Sequence, residues 1–178
     1  TLAVSLLDDP ATDGVILNLA GDYTTFDLNT PEYIDADPDS DTTGYVVVGD
    51  NVADSFANGT LTITPMSGAT DGSFSFDDYG ARANLSTTLG TDGVGGDLIV
   101  GGESVGTNDS GWTEIGTVDP IADGQNGQPL IIHLNATATA HYVEEILYSL
   151  QYSAPTGGIR EYYVYTNDGD GGTYSTSE

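Results

Sequence analysis

Thr60-Leu61-Thr62-Ile63-Thr64 and Ser73-Phe74-Ser75-Phe76 alternate polar and apolar residues without a break. Successive side chains of a β-strand point to opposite faces, so each stretch reads as a strand with one face buried. A helix needs a period near 3.6, which neither stretch offers. Working outward, the same period of two gives strands at 2–7, 15–19, 23–28, 45–48, 97–100, 113–118, 130–135 and 159–166. Gly, Asn and Asp clusters separate the runs, and Asn58-Gly59 and Asn126-Gly127 are tight-turn dipeptides. One segment reads as a helix, from Ala138 to about Leu150, with Val143, Ile146, Leu147 and Leu150 on one face and Thr137 or Thr139 as N-cap. Many short strands and one short helix predict an all-β, antiparallel β-sandwich. No internal repeat or linker interrupts the 178 residues, which are expected to form one domain. Gly101–Gln128 is expected to be an elaborated loop region containing the only Trp, Trp112.

The charge is extreme. There are 28 Asp and Glu against two basic residues, Arg82 and Arg160, for a net charge of -26. Nucleic-acid binding needs cations that displace phosphate counterions, so that class is excluded. Direct contact with an anionic membrane is disfavoured by the same sign of charge. Zero Cys removes disulfides, thiolate nucleophiles and thiolate metal sites. No apolar run approaches the roughly 18 residues of a membrane-spanning helix. Twenty-one of the acids are Asp, which favours turns and caps, and only seven are Glu, which favours helices. Short carboxylates on turns are what hard divalent cations bind, so the composition points to several Ca2+ ions, or to a very salty medium that screens the charge.

Four groups of acids stand out. Asn167, Asp168 and Asp170 lie in Asn-Asp-Gly-Asp-Gly-Gly, a segment that bends sharply and can converge carboxylates on one cation. Asp35, Asp37, Asp39 and Asp41 alternate like an EF-hand loop, but Thr42 stands where that loop needs Gly and Val48 where it needs Glu. Asp77 and Asp78 are adjacent at the end of the Phe74/Phe76 strand and repel unless a cation bridges them. Asp8, Asp9, Asp13 and Asp22 crowd the N-terminal entry. The ordinary reading of each group is a solvated acidic turn.

Other motifs weigh less. Gly102-Glu103-Ser104-Val105-Gly106 matches a nucleophile elbow, but an elbow needs a helix after the Ser and none is predicted. A glycosidase needs a carboxyl of raised pKa in an apolar cleft, whereas these Asp sit in Gly-rich turns. No enzymatic activity is expected. His133 and His141 read as packing or capping groups. Tyr162 and Val164 share one face of the last strand and Tyr163 and Tyr165 the other; one face is core. Asp109, Trp112, Arg82 and Tyr79 are the candidate ligand contacts. The ring sits in a polar loop, and the arginine can hold a ligand carboxylate.

Residues 129–175 carry a resemblance. They read Pro-Leu-Ile-Ile-His-Leu-Asn-Ala-Thr-Ala-Thr-Ala-His-Tyr-Val-Glu-Glu-Ile-Leu-Tyr-Ser-Leu-Gln-Tyr, and then, from Arg160, Glu-Tyr-Tyr-Val-Tyr-Thr-Asn-Asp-Gly-Asp-Gly-Gly-Thr-Tyr-Ser. The string resembles the cadherin-like modules of giant bacterial surface proteins, including RTX adhesins. Asp54-Ser-Phe-Ala-Asn-Gly-Thr-Leu-Thr-Ile is similar to their strand entry, and Tyr23-Thr-Thr-Phe with Tyr33-Ile-Asp-Ala-Asp to their first strands. The resemblance implies a secreted, calcium-stabilised module at the bacterial cell surface, cut from a longer chain, monomeric, and flanked by neighbouring modules. It implies calcium at Asn167, Asp168 and Asp170, stiffening the junction to the next module. The 101–128 elaboration further resembles the modules that capture the C-terminal end of a target protein through exposed calcium. A passive spacer and a glycan-binding module are the alternatives.

Overall fold

The computed structural model describes residues 2–6, 16–18, 23–24, 28–33, 47–49, 55–67, 71–76, 85–87, 97–107, 112–157, 160–167 and 169. In chain order the strands are β1 Leu2–Leu6, β2 Ile16–Asn18, β3 Tyr23–Thr24, β4 Glu32–Tyr33, β5 Val47–Gly49, β6 Thr60–Ser67 and β7 Ser73–Phe76. They continue with β8 Leu85–Thr87, β9 Asp97–Leu98, β10 Ser104–Thr107, β11 Thr113–Asp123, β12 Leu130–Leu134, β13 Leu150–Ser153 and β14 Arg160–Asn167. Among the described residues one helix forms, α1, spanning Ala140–Ser149. The protein is thus mostly antiparallel β-sheet with one short helix, as the period-two patterning predicts.

The larger sheet has eight strands in the order β3-β1-β14-β6-β12-β11-β10-β8, the smaller four in the order β4-β13-β7-β9, and β2 pairs with β5. One pairing departs from the antiparallel expectation: β1 runs parallel to β14, with Val4 opposite Tyr162. Parallel neighbours need a crossover, and here nearly the whole chain supplies it. Pro65 is accommodated in β6 because β12 pairs only as far as Ile63, so the missing N–H interrupts no bond to β12.

Alternation sets the core. Leu61 and Ile63 of β6, Leu130, Ile132 and Leu134 of β12, and Tyr162 and Val164 of β14 are buried. Thr62, His133, Tyr163 and Tyr165, one residue out of phase, are not. The inward face of β14 is therefore the Tyr162/Val164 face. From the smaller sheet come Phe74, Phe76, Leu150 and Tyr152, all at most 1% exposed. Phe74, Tyr152 and Tyr162 form a closed aromatic trio with centroid separations of 5.1–5.2 Å and tilted or edge-on rings. Tyr162 belongs to the larger sheet and the other two to the smaller, so the trio joins the sheets across one core.

Helix α1 caps this core with Val143, Ile146 and Leu147 fully buried. Thr139 is its N-cap, accepting from the Tyr142 N–H. The helix ends at Ser149, about where its apolar period predicts, and Leu150 is extended and opens β13, where it pairs with Phe76. Leu150 and Tyr152, two apart, then face the core from the strand.

Within the segment 101–128, expected as an elaborated loop region with a brief strand at 113–118, that strand is present and longer, as β11, and β10 is added; both belong to the larger sheet. Ser104 and Gly106 lack strand propensity. Both pair with β11, and Gly106 pairs also with β8.

Candidate functional site

Every acid of the four groups singled out by sequence (Asp8, Asp9, Asp13, Asp22, Asp35, Asp37, Asp39, Asp41, Asp77, Asp78, Asp168 and Asp170) lies outside the described residues, as do Tyr79, Arg82 and Asp109. Asn167 and Trp112 are described, and each sits in a defined local structure. Among the described residues no group of three or more His, Asp and Glu side chains is gathered as a metal site.

Asn167 ends β14, and its Oδ1 accepts from the Gly169 N–H at 2.6 Å. Gly169 takes φ +85°, and its Cα lies so close to the 57–59 turn that a Cβ would meet the Ala57 carbonyl oxygen at 2.4 Å and Gly59 N at 2.6 Å. The backbone thus bends at Gly169, which packs against the backbone of Ala57–Gly59. That turn is fixed in turn by Asn58 at φ 65° and by a bond from Gly59 N to Phe56 O. The carbonyl and carboxamide oxygens here are hard donors of the type Ca2+ takes, and the Asn167 oxygen keeps one lone pair beyond its turn bond.

Trp112 immediately precedes β11 and is 40% exposed. Its indole is seated on Gly106 of β10: a Cβ there would lie 2.7 Å from Cζ2 and 2.9 Å from Cε2. Gly106 is the register partner of Glu114, whose side chain is exposed. Side chains directly opposite on antiparallel strands have Cβ atoms about 4.5–5.5 Å apart, which places the indole beside Glu114. The Ser104 hydroxyl donates to Glu114 Oε2 at 2.6 Å. The Glu114 carbonyl accepts twice, from Asn135 Nδ2 at 2.9 Å and from Thr137 Oγ1 at 2.6 Å. Backbone and carboxylate are both anchored. Ser104 sits within a strand and serves a carboxylate, and the strand continues after it, so the Gly-x-Ser-x-Gly match has neither the turn nor the helix of a nucleophile elbow.

A third cluster lies further along β11. Asp119 Oδ1 accepts from the N–H groups of Ile121 and Ala122, both at 2.9 Å, and Oδ2 pairs with His133 Nε2 at 3.0 Å. These contacts hold its carboxyl down at about 2 against an ordinary 3.8; the Ala122 N–H contributes most, then His133, then the Ile121 N–H. The pair fixes the irregular stretch between Val118 and Asp123, where register with β12 shifts and Ile121 is 82% exposed. His133 is therefore a side-chain partner of Asp119 at the surface, beyond the packing or capping role expected of it. His141 lies 4.0 Å from both Glu144 and Glu145 on the first turns of α1.

Glu114 and Asp119 were not among the candidate residues. The spacing Trp112-x-Glu114 beside the predicted 113–118 strand puts ring and carboxylate toward one face, but the Gly106 partner that seats the ring comes only from the pairing of β10 with β11. The chain defines a mostly antiparallel all-β protein with polar clusters on the outer face of its larger sheet. Compared with family models, curated proteins and solved structures, it matches none. No helix among the described residues is long and apolar enough to cross a membrane.

Proposed function

We propose that the chain is a calcium-dependent extracellular binding module: a calcium-stabilised, cadherin-like β-sandwich of a large bacterial surface adhesin. It takes the C-terminal carboxylate of a partner protein through an exposed Ca2+. The observation that carries this reading is the charge imbalance, 28 acids against two bases, on a chain that nonetheless closes an apolar core. Like charges crowded on one small globule repel, by about 1 kcal/mol for each close pair in water. Bound divalent cations remove that penalty and leave positive centres that can accept a ligand carboxylate, which the bare chain would repel. The bend at Asn167–Gly169, docked on Ala57–Gly59, supports the terminal Asn-Asp-Gly-Asp segment as one calcium position, with Asn167, Asp168 and Asp170 as ligands. Asp22, Asp35, Asp37, Asp39, Asp77 and Asp78 are the further ligands of this reading, and Asp109, Arg82 and Tyr79 its ligand contacts.

The test has two stages. Calorimetric melts with millimolar calcium and with a chelator should differ by well over ten degrees; coincident melts would dispose of the calcium requirement. Isothermal titration with paired peptides, free acid and amide, should then show binding of the free acid alone. A calcium-raised melt with no peptide bound would make the module a spacer. Glycan binding without peptide binding would make it a carbohydrate module.

A further inference from the structure

We infer that Trp112 and Glu114, on the outer face of the larger sheet, form a recognition site for a cationic side chain, an arginine guanidinium above all, on an extended partner segment. The site is built from described residues and needs no metal. The indole is backed by the Gly106 backbone, where any Cβ would strike the ring, and still exposes 40% of the residue. An exposed indole with its back supported is the best of the aromatic surfaces for a cation. Beside it the Glu114 carboxylate is oriented by Ser104 at 2.6 Å, and its backbone is fixed by Asn135 and Thr137. A carboxylate next to an aromatic ring matches arginine on both counts, since the planar guanidinium stacks on the ring and forks onto the oxygens.

Charge complementarity selects this occupant. With a net charge of -26, anionic ligands and a second copy of the chain are repelled, while cations are drawn to the surface from a distance. A neutral sugar gains nothing from that field. His133, on the same face of the sheet, is engaged by Asp119 at 3.0 Å. Arg82 lies outside the described residues.

Trp112 is the only Trp, so its fluorescence reports this site alone. The whole chain, in calcium-containing buffer, is titrated with Ac-Gly-Arg-Gly-amide, its citrulline counterpart and methyl glucoside. None carries a carboxylate, so the outcome is separate from that of the carboxylate-capture reading. The arginine peptide should change Trp112 emission saturably, and the citrulline peptide should bind about tenfold more weakly, as loss of a charge-assisted contact implies. Glu114→Gln should reduce arginine affinity by about tenfold with an unchanged melting temperature, and Trp112→Phe, which lacks the fluorophore and is read by isothermal titration, by about threefold. Equal binding of citrulline, preference for the glucoside, or an arginine affinity indifferent to Glu114→Gln would overturn the site. Should Trp112→Phe not fold, Ser104→Ala, which only unties the carboxylate, should still weaken arginine about twofold.

Discussion

Gly169 shows how much a single position can carry. Its positive φ alone costs an L-residue about 1–2 kcal/mol, and the Ala57 carbonyl occupies the place of a Cβ. Gly169→Ala should therefore destabilise the fold by about 2 kcal/mol or more, measured as a lower urea midpoint at unchanged slope. If calcium binds here, the same variant should also lose part of the calcium-induced rise in melting temperature. Asp119 gives a pH-dependent case. Its folded-state pKa is depressed to about 2, so its stabilising effect is present above the unfolded value near 4 and is lost as pH falls through 2. Asp119→Ala should thus melt lower than the parent at neutral pH. The two curves should converge between about pH 4 and pH 2. A deficit that persisted unchanged at pH 2 would mean that the Ala122 and Ile121 bonds do not depend on the charge.

At the scale of elements, the smaller sheet depends on β7. Ser73–Phe76 was legible to the residue, because its alternation is strict and its two Phe both face inward. Phe74 touches Tyr152 and Tyr162 at 5.2 Å, so it bridges both sheets. Phe74→Ala should cost about 3–5 kcal/mol by leaving a cavity between them, and a loss below about 1 kcal/mol in chemical denaturation would show that the trio does not join the sheets. The turns at Asn58 and Asn126 were also legible, and both residues adopt the positive φ their dipeptides predict. β8, β10 and β13 were not. Leu85-Ser-Thr and Ser104-Val-Gly-Thr carry too few β-branched or aromatic residues to declare themselves, and their partners β10 and β11 supply what propensity does not. β13 follows the helix without a turn signal, and only its first residue, Leu150, belongs to the helical period.

For the whole molecule, repulsion among 26 net negative charges is the term that solution conditions control. In chelator, raising sodium chloride from about 0.01 to 1 M shrinks the screening length from roughly 30 Å to 3 Å and should raise the melting temperature. A millimolar calcium addition at low salt should exceed that effect, because a coordinated ion does more than screen. Equal effects of calcium and of magnesium at the same ionic strength would point to screening alone.

Much of the architecture was local information. Period-two alternation, turn dipeptides and the Thr139 cap act over a few residues, so the chain declares them wherever its side chains repeat at the right spacing. The charge was equally open, since counting requires no geometry. The tertiary structure alone decided that Tyr162 rather than Tyr163 faces inward, that β1 joins β14 in parallel, and that the indole of Trp112 rests on Gly106 beside Glu114. These outcomes depend on contacts between residues distant in sequence. Their energies are set by how whole sheets pack, and no short window of sequence contains both partners.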